Sequence, residues 1–253
     1  GRDVTGWIVF DYETRSAADL KKVGAWVYSE CPTTEVLCLR LRNHLGQKAR
    51  WWPGDPIPQM WLDGLANGWI FIAHNAGFEK AITRNIMVAW HGWPDIPNAQ
   101  WHDTAAVCAM KSLPHSLGPA VMVLRLPVPK DDDGSSFTIG LSKFDKKGAW
   151  QPITPEVLRR VDEYCATDVD AQTELHMRLG FLPPDEHQFW LYDQAMNERG
   201  VGIDLALVRQ AQKIVTEATG PLLEEFQRIT GIEKLGSPKF KTWLHSQGVH
   251  LDN

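Results

Sequence analysis

Two carboxylates lie two residues apart in the stretch WIVFDYETRS, residues 7–16. Asp11 and Glu13 follow an apolar, β-branched run that is typical of a buried strand. Side chains alternate across a strand, so these two carboxylates share a face and lie a few ångströms apart. Burial of such a pair predicts either a raised pKa for one of them or a cation bound between them. The alternative interpretation is that the strand has ended and both carboxylates are solvated.

A third acid lies on a long helix predicted over residues 154–180, which has typical capping residues at both ends. Apolar positions spaced by threes and fours place Asp168 on the core-facing side of this helix, one turn after Tyr164. A buried carboxylate needs a cationic partner or a hydrogen-bond network to stay ionised. Asp168 therefore pairs with a core arginine or helps to bind a cation, whereas Asp162 and Asp170 are interpreted as surface acids.

The segment IFIAHNAGFEKAI, residues 70–82, is predicted to be a buried strand, a turn and the start of a helix. Glu79 borders the apolar face of that helix. As an acid in the first turns it also complements the helix dipole, which is the purely structural interpretation. However, ligands of α/β sheets bind where the carboxyl ends of neighbouring strands meet. Asp11, Glu13 and Glu79 all follow strands on that side.

Four converging acids without matching basic residues are typical of an oxygen-ligand site for Mg²⁺ or Mn²⁺. Two such ions about 3.5–4 Å apart can bind both the attacking and the leaving oxygen of a phosphodiester. The net charge of −5 disfavours binding to a polyanion through bulk charge. Any contact with nucleic acid is therefore expected to be local or carried by metal ions.

The elements that must position these acids follow from the apolar patterns. Helical patterns dominate the later part of the chain, and a proline pair at Pro183 and Pro184 breaks it. We therefore predict an α/β domain with a mixed sheet and flanking helices over residues 1–182, followed by an all-helical segment over residues 183–253. The strand-like runs cover residues 7–12, 36–42, 49–52 and 69–73.

Between residues 127 and 150 the chain is rich in Gly, Ser, Asp and Lys and lacks regular periodicity. Two interpretations stay open for this segment. It is a surface loop, or it is a loop over a substrate cleft that offers Lys143 and neighbouring lysines to phosphates. On the second interpretation Lys143 is a candidate nucleic-acid contact.

Composition narrows the cellular context. No apolar run approaches the roughly 20 residues that span a membrane, and the first residues show no signal-peptide pattern, so a cytoplasmic protein is expected. The four cysteines are widely spaced and are predicted to be reduced core residues rather than zinc ligands. The chain begins without methionine and ends on a polar stretch, which suggests a fragment of a longer protein.

Three motifs in order resemble those of the DnaQ-like, DEDD-type 3′–5′ exonucleases, in the branch with tyrosine in the third motif. The resemblance covers roughly residues 5–182 and implies a ribonuclease H-like sheet flanked by helices. The tail, with MNERGVGIDLALVRQA and LGSPKFKTWL, is similar to the helices that follow the exonuclease domain in family A DNA polymerases. Phage polymerases of this family carry similar FDYET and AHNAGFE segments, which suggests a viral source. The three motifs are Asp11-x-Glu13, Asn75-x-x-Phe78-Glu79 and Tyr164-x-x-x-Asp168.

The resemblance also implies roles. Asp11 would bridge two ions, Glu13 and Asp168 would hold the ion that activates the attacking water, and Glu79 would serve the other ion. Tyr164 would orient that water. The second motif usually ends in aspartate, so Glu79 departs from the pattern and puts the affinity for the second ion in question. Expected contacts with the terminal nucleotide come from Thr14, Asn75 and Phe78, the last of which fits a core role equally well.

The function implied is a proofreading 3′–5′ DNA exonuclease that releases nucleoside monophosphates from a single-stranded 3′ end. It would form part of a DNA polymerase whose catalytic domain is missing from this chain. Two alternatives remain. One is a 3′–5′ RNA exonuclease of the same superfamily, and the other is an inactive nuclease-like module that docks DNA or serves a structural role.

Overall fold

The structure, a computed structural model, describes residues 6–127, 137–138, 140–142 and 150–249. The chain divides into two compact units, Gly1–Glu198 and Arg199–Asn253. Within the described part, none of the helices combines the length and the apolar character that crossing a bilayer requires.

The first unit is built on a sheet whose described strands are β1 Trp7–Arg15, β2 Glu35–Asn43, β3 Lys48–Trp51, β4 Ile70–Ala73 and β5 Trp101–Asp103. They run in the order β3-β2-β1-β4-β5. β1 pairs antiparallel with β2, and β2 pairs antiparallel with β3. On the other side β1 pairs parallel with β4, and β4 with β5. The central β1 is therefore buried on both faces, which explains its continuous apolar run.

Helices flank this sheet, so the predicted ribonuclease H-like α/β class with a mixed sheet is confirmed. β5 was absent from the predicted strands because three residues are too short for a periodic signal. The helix that begins at Gly77 widens into a π-helix at Thr83–Val88, and a short 3₁₀ turn spans Asn98–Gln100. The helices are α1 Leu20–Glu30, α2 Gln59–Ala66, α3 Gly77–Ile82, α4 Ala89–His91, α5 Thr104–Met110, α6 Leu117–Leu124, α7 Pro155–Leu179 and α8 Pro184–Arg199.

The long helix α7 packs across β1 and β2, as its apolar stripe predicts. Its most buried line of side chains, however, lies about one residue further along than the predicted stripe. That line runs through Cys165, Val169, Gln172 and His176. Tyr164 and Asp168 are consequently half-buried and lie beside the line rather than on it.

A buried ion pair fastens α7 to β2. The prediction that Asp162 is a surface acid is wrong: its side chain is only 4% exposed and receives two hydrogen bonds from the Arg40 guanidinium. One of these joins Nε to Oδ1 at 2.6 Å. Sequence periodicity could not show this, because an arginine on a strand can neutralise an acid that faces the sheet. Asp170 is more exposed and pairs with Arg42 at 3.1 Å.

Helix α8 belongs to the first compact unit up to Glu198. Trp190 joins the main core, and the His187 ring donates from Nε2 to the Trp101 carbonyl at 2.9 Å. Glu198 accepts from Arg84 at 2.7 Å and also pairs with the buried Lys80. The compact-unit boundary thus lies one helix beyond the predicted boundary at residue 183. Whether the tail from residue 183 onwards begins a polymerase region stays a prediction.

The second unit is helical in its described residues. Its first helix, α9, spans Leu205–Thr230 and begins after the N-cap Asp204, whose carboxylate accepts two main-chain N–H groups. It ends at Gly231, which adopts a left-handed φ of 67° suited to glycine. The second helix, α10, spans Pro238–Ser246.

We expect Arg40→Met to lower the free energy of unfolding by about 3–5 kcal/mol, because it leaves the buried Asp162 carboxylate without its partner. The matched control is Arg42→Met, since Arg42 pairs with acids that are about a third exposed and should cost about 0–1 kcal/mol. Urea denaturation followed by circular dichroism measures both. Equal losses would show that the Arg40 pair does not fasten the helix.

Candidate metal centre

A single cleft in the first unit brings together all five residues to which the motifs assign catalysis. Its volume is about 650 Å³. The five come from three elements far apart in the sequence: β1, α3 and α7. The motif residues that line it are Asp11, Glu13, Asn75, Phe78, Glu79, Tyr164 and Asp168, and they are joined by Tyr12, Leu20, Ala25, His74 and Thr138.

Strand lengths explain how the acids meet. The parallel pairing of β1 with β4 reaches Val9 opposite Ile72, and β4 ends one residue later at Ala73. β1 continues past that point, so Asp11 and Glu13 extend beyond the carboxyl end of β4. There the chain turns into α3, which carries Glu79.

The turn that leads into α3 is held by a buried acid. Asn75 has a left-handed φ of 65°, which asparagine tolerates better than most residues. Its main-chain N–H donates to Asp103 Oδ1 at 2.9 Å. The same oxygen accepts from the N–H of Ala105 at 2.8 Å, which makes Asp103 the N-cap of α5. Asp103 therefore fixes the turn that aims Glu79 into the cleft.

Two acids of the cleft, Glu13 and Glu79, are buried, Asp11 and Asp168 are half-buried, and their charges repel one another. Glu13 is 8% exposed and Glu79 is 3% exposed. Burial, followed by the charge of Asp168, raises the pKa of Asp11 to about 8. Burial and the charge of Asp11 likewise hold the pKa values of Glu13 and Glu79 well above their usual range. Ionising all of them together therefore requires a positive charge in the cleft.

The described residues do not supply that charge to three of these acids. Among the described residues, no salt bridge involves Asp11, Glu13 or Glu79. Arg40 lies directly opposite Asp11 on β2, but its guanidinium is bound to Asp162. Oε2 of Glu79 is buried without a hydrogen-bond partner within the described part of the chain. Carboxylate oxygens of this kind fit a hard divalent cation such as Mg²⁺ or Mn²⁺.

Two side chains of α7 that the sequence interpretation left out also contact Asp11. Cys165 donates from Sγ to the Asp11 main-chain carbonyl at 3.3 Å. Gln172 donates from Nε2 to Asp11 Oδ1 at 3.1 Å. The cysteine sulfur also lies within 4.8 Å of ligand oxygens of Asp11 and Glu13. The spacing of residues 165, 168 and 172 by three and four places them on one face of α7, but no local pattern shows that this face contacts Asp11.

The remaining candidates have different surroundings. Asn75 and Phe78 line the cleft, and the Phe78 ring also packs against Tyr28 at a centroid distance of 5.9 Å. Thr14 does not line it, and its hydroxyl lies 2.9 Å from that of Tyr28. Lys143 lies outside the described residues. Contacts of these side chains with nucleic acid stay predictions.

Both ring nitrogens of His74 form hydrogen bonds. Nδ1 lies 2.9 Å from the Thr104 hydroxyl, and Nε2 lies 2.8 Å from the His115 carbonyl, to which it donates. These contacts give His74 a structural role as a hydrogen-bonding residue.

No family model matches the chain. The DNA polymerase of Bacillus phage SP02 is 28% identical to it over 263 aligned residues, which cover 96% of this chain. The chain is similar to a phage DNA polymerase. This match confirms the resemblance to phage polymerases that the motifs indicated. The chain spans 39% of the length of that relative.

Solved structures give weaker matches. The polymerase domain of Pol1 from M. smegmatis, in complex with DNA primer-template and dNTP, is 13% identical, with a TM-score of 0.47 over 98% of this chain and 38% of its own. The apo form of a nuclease is 16% identical, with a TM-score of 0.45 over 79% of this chain and 90% of its own. The family B polymerase of Pyrobaculum calidifontis is 12% identical, with a TM-score of 0.47 over 69% and 24%. At these values they carry no functional argument.

We expect Mn²⁺ to raise the melting temperature of this chain, by an amount equivalent to about 2.7 kcal/mol at 100 times its dissociation constant. Metal binding requires ionised carboxylates, so protons compete with the cation. Because the pKa of Asp11 is raised to about 8, the stabilisation should be larger at about pH 8 than at about pH 6. Differential scanning fluorimetry at the two pH values measures it.

The control for this measurement is Asp185→Ala, which removes an exposed acid of α8. It should respond to Mn²⁺ like the wild type, whereas Asp11→Ala should lose most of the response. An equal response of both variants would argue against a metal centre at Asp11.

Proposed function

We propose that this chain is a metal-dependent 3′–5′ DNA exonuclease that proofreads for a DNA polymerase. The observation that carries the proposal is the convergence of four acids and one tyrosine in a single cleft. Similarity to a phage DNA polymerase supports the link to replication. On this proposal the protein acts in the cytoplasm of a bacterium or of a phage-infected host, and its polymerase domain lies outside this chain.

The four carboxylates would hold two divalent cations. When bound, Mg²⁺ or Mn²⁺ supplies positive charge to the scissile phosphate and lowers the pKa of a coordinated water. On this proposal Asp11 would contact both ions, Glu13 and Asp168 would hold one of them, and Glu79 would hold the other, in keeping with the four acids lining one cleft. The buried Oε2 of Glu79, which has no hydrogen-bond partner among the described residues, supports a ligand role for this longer side chain.

Tyr164 is the candidate for orienting the attacking water. It lies one helical turn before Asp168, is half-buried and lines the cleft. Its phenol can hydrogen-bond the water without ionising, because the cations acidify that water. The tyrosine thus acts by orientation rather than by proton transfer.

The remaining walls suit the end of a single strand. Asn75 offers an amide and Phe78 a ring for the terminal nucleotide, and stacking on aromatic rings binds bases with little sequence preference. On this proposal the substrate is a single-stranded 3′ end rather than a duplex. Hydrolysis there would release nucleoside monophosphates.

Two other functions fit part of the evidence. A 3′–5′ RNA exonuclease would use the same acids, but the similarity to a DNA polymerase favours DNA. An inactive docking module would explain why glutamate stands at position 79. Against it, all five catalytic candidates remain and line one cleft.

We expect the wild type to shorten a 5′-labelled single-stranded DNA from its 3′ end with Mg²⁺ or Mn²⁺. Asp11→Ala should lower the rate by about 10³-fold or more, equivalent to about 4 kcal/mol of transition-state stabilisation. Denaturing gel electrophoresis resolves the product ladder, EDTA should abolish it, and an RNA of the same sequence should be cut far more slowly. Intact DNA with either metal would favour the inactive module, and Glu79→Asp would then show whether the site can be repaired.

Tyr164→Phe should lower the turnover number by about 10–100-fold, since it removes only the hydroxyl that orients the water. Calorimetric Mn²⁺ affinity should stay unchanged, because no ligand is lost. Tyr192→Phe, at an exposed position of α8, is the matched control. A parallel loss of Mn²⁺ affinity in Tyr164→Phe would assign the tyrosine to metal binding instead.

A further inference from the structure

Helix α7 contacts both the side chain and the main chain of Asp11. Gln172 of α7 donates from Nε2 to the Asp11 carboxylate at 3.1 Å, and Cys165 of α7 donates to its main-chain carbonyl at 3.3 Å. The same helix carries Asp168, which lines the cleft beside Asp11. Side chain and main chain of Asp11 are therefore both tied to the element that supplies a second candidate ligand.

Packing alone does not account for Gln172. Its side chain is 2% exposed, and its Oε1 finds no hydrogen-bond partner in the described part of the chain. A buried amide with one unmade hydrogen bond is less favourable than an apolar side chain of similar volume. The contact with Asp11 is the one polar interaction that its buried amide makes among the described residues.

A neutral hydrogen-bond donor can orient the Asp11 carboxylate without cancelling its charge, whereas a cation would cancel it. Arg40 lies opposite Asp11 across the β1–β2 pair, where its guanidinium could neutralise the carboxylate, but Asp162 binds it. An arginine on Asp11 would cancel the charge that attracts a metal ion. The Gln172 amide instead orients the carboxylate, occupies Oδ1 from the buried side and leaves the negative charge in place.

We propose that Gln172 is a positioning residue that holds the Asp11 carboxylate in the orientation required to bind divalent metal. The inference rests on the metal centre of the proposed function. Cys165 supports the same arrangement by fixing the main chain at Asp11. Because residues 165, 168 and 172 lie on one helix face, α7 sets the position of Asp11 relative to Asp168.

The test is Mn²⁺ binding by the full 253-residue chain, measured by titration calorimetry without DNA. Gln172→Met keeps the volume and removes the donor, so it should bind Mn²⁺ about 10–100-fold more weakly than the wild type. Gln100→Met is the matched control, because it removes a glutamine amide that donates to the Trp69 carbonyl at 2.8 Å, outside the cleft. This control should bind Mn²⁺ like the wild type, and thermal unfolding of both variants checks that they fold.

A double variant separates positioning from a general structural effect. If Gln172 acts through Asp11, then adding Gln172→Met to Asp11→Ala should weaken the residual Mn²⁺ binding no further. Wild-type affinity in a folded Gln172→Met would overturn the inference. A second full loss in the double variant, or an equal loss in Gln100→Met, would do the same.

Failure of the proposed function would give a different result from failure of the positioning role. A wild type that binds Mn²⁺ in a manner dependent on Asp11 and Gln172, yet leaves DNA intact, would refute the exonuclease and support the positioning role. If the wild type cuts DNA and Gln172→Met binds Mn²⁺ with the same affinity as the wild type, only the positioning role would be refuted. Absence of Mn²⁺ binding by the wild type would overturn both.

Discussion

Mutual repulsion between buried carboxylates is the constraint around which the first unit is organised. Asp11, Glu13 and Glu79 face one cleft, and none of them forms a salt bridge among the described residues. Burial and their neighbours raise the pKa of each. Such an arrangement is unfavourable in itself, so the rest of the fold must hold it in place.

Helix α7 supplies much of that support. The Arg40–Asp162 pair fastens it to β2, and Arg42 adds a second, more exposed pair with Asp170. Pairing Arg40 with Asp162 also removes the nearest cross-strand cation from Asp11. The same ion pair therefore stabilises the packing of the helix and preserves the negative charge of the cleft. Gln172 then orients Asp11 without neutralising it.

Hydrogen bonds from other elements also hold the turn before α3, which presents Glu79 to the cleft. Asp103 begins α5 and simultaneously accepts the N–H of Asn75, so one carboxylate connects the start of a helix to the turn that presents Glu79. His74 bonds to Thr104 and to the His115 carbonyl on the same side. Polar residues that are not candidate metal ligands thus determine where the acids of the cleft point.

The sequence by itself determined the α/β class, the long helix near residues 154–180, and the three motifs whose acids and tyrosine meet in one cleft. These are local signals, since alternation, helical spacing and capping depend on neighbouring residues. Only the tertiary structure decided that Asp162 is buried on Arg40, that α7 is turned so that Tyr164 and Asp168 border the cleft, and that Gln172 contacts Asp11. Each of these depends on a partner more than a hundred residues away in the chain, which no local pattern encodes.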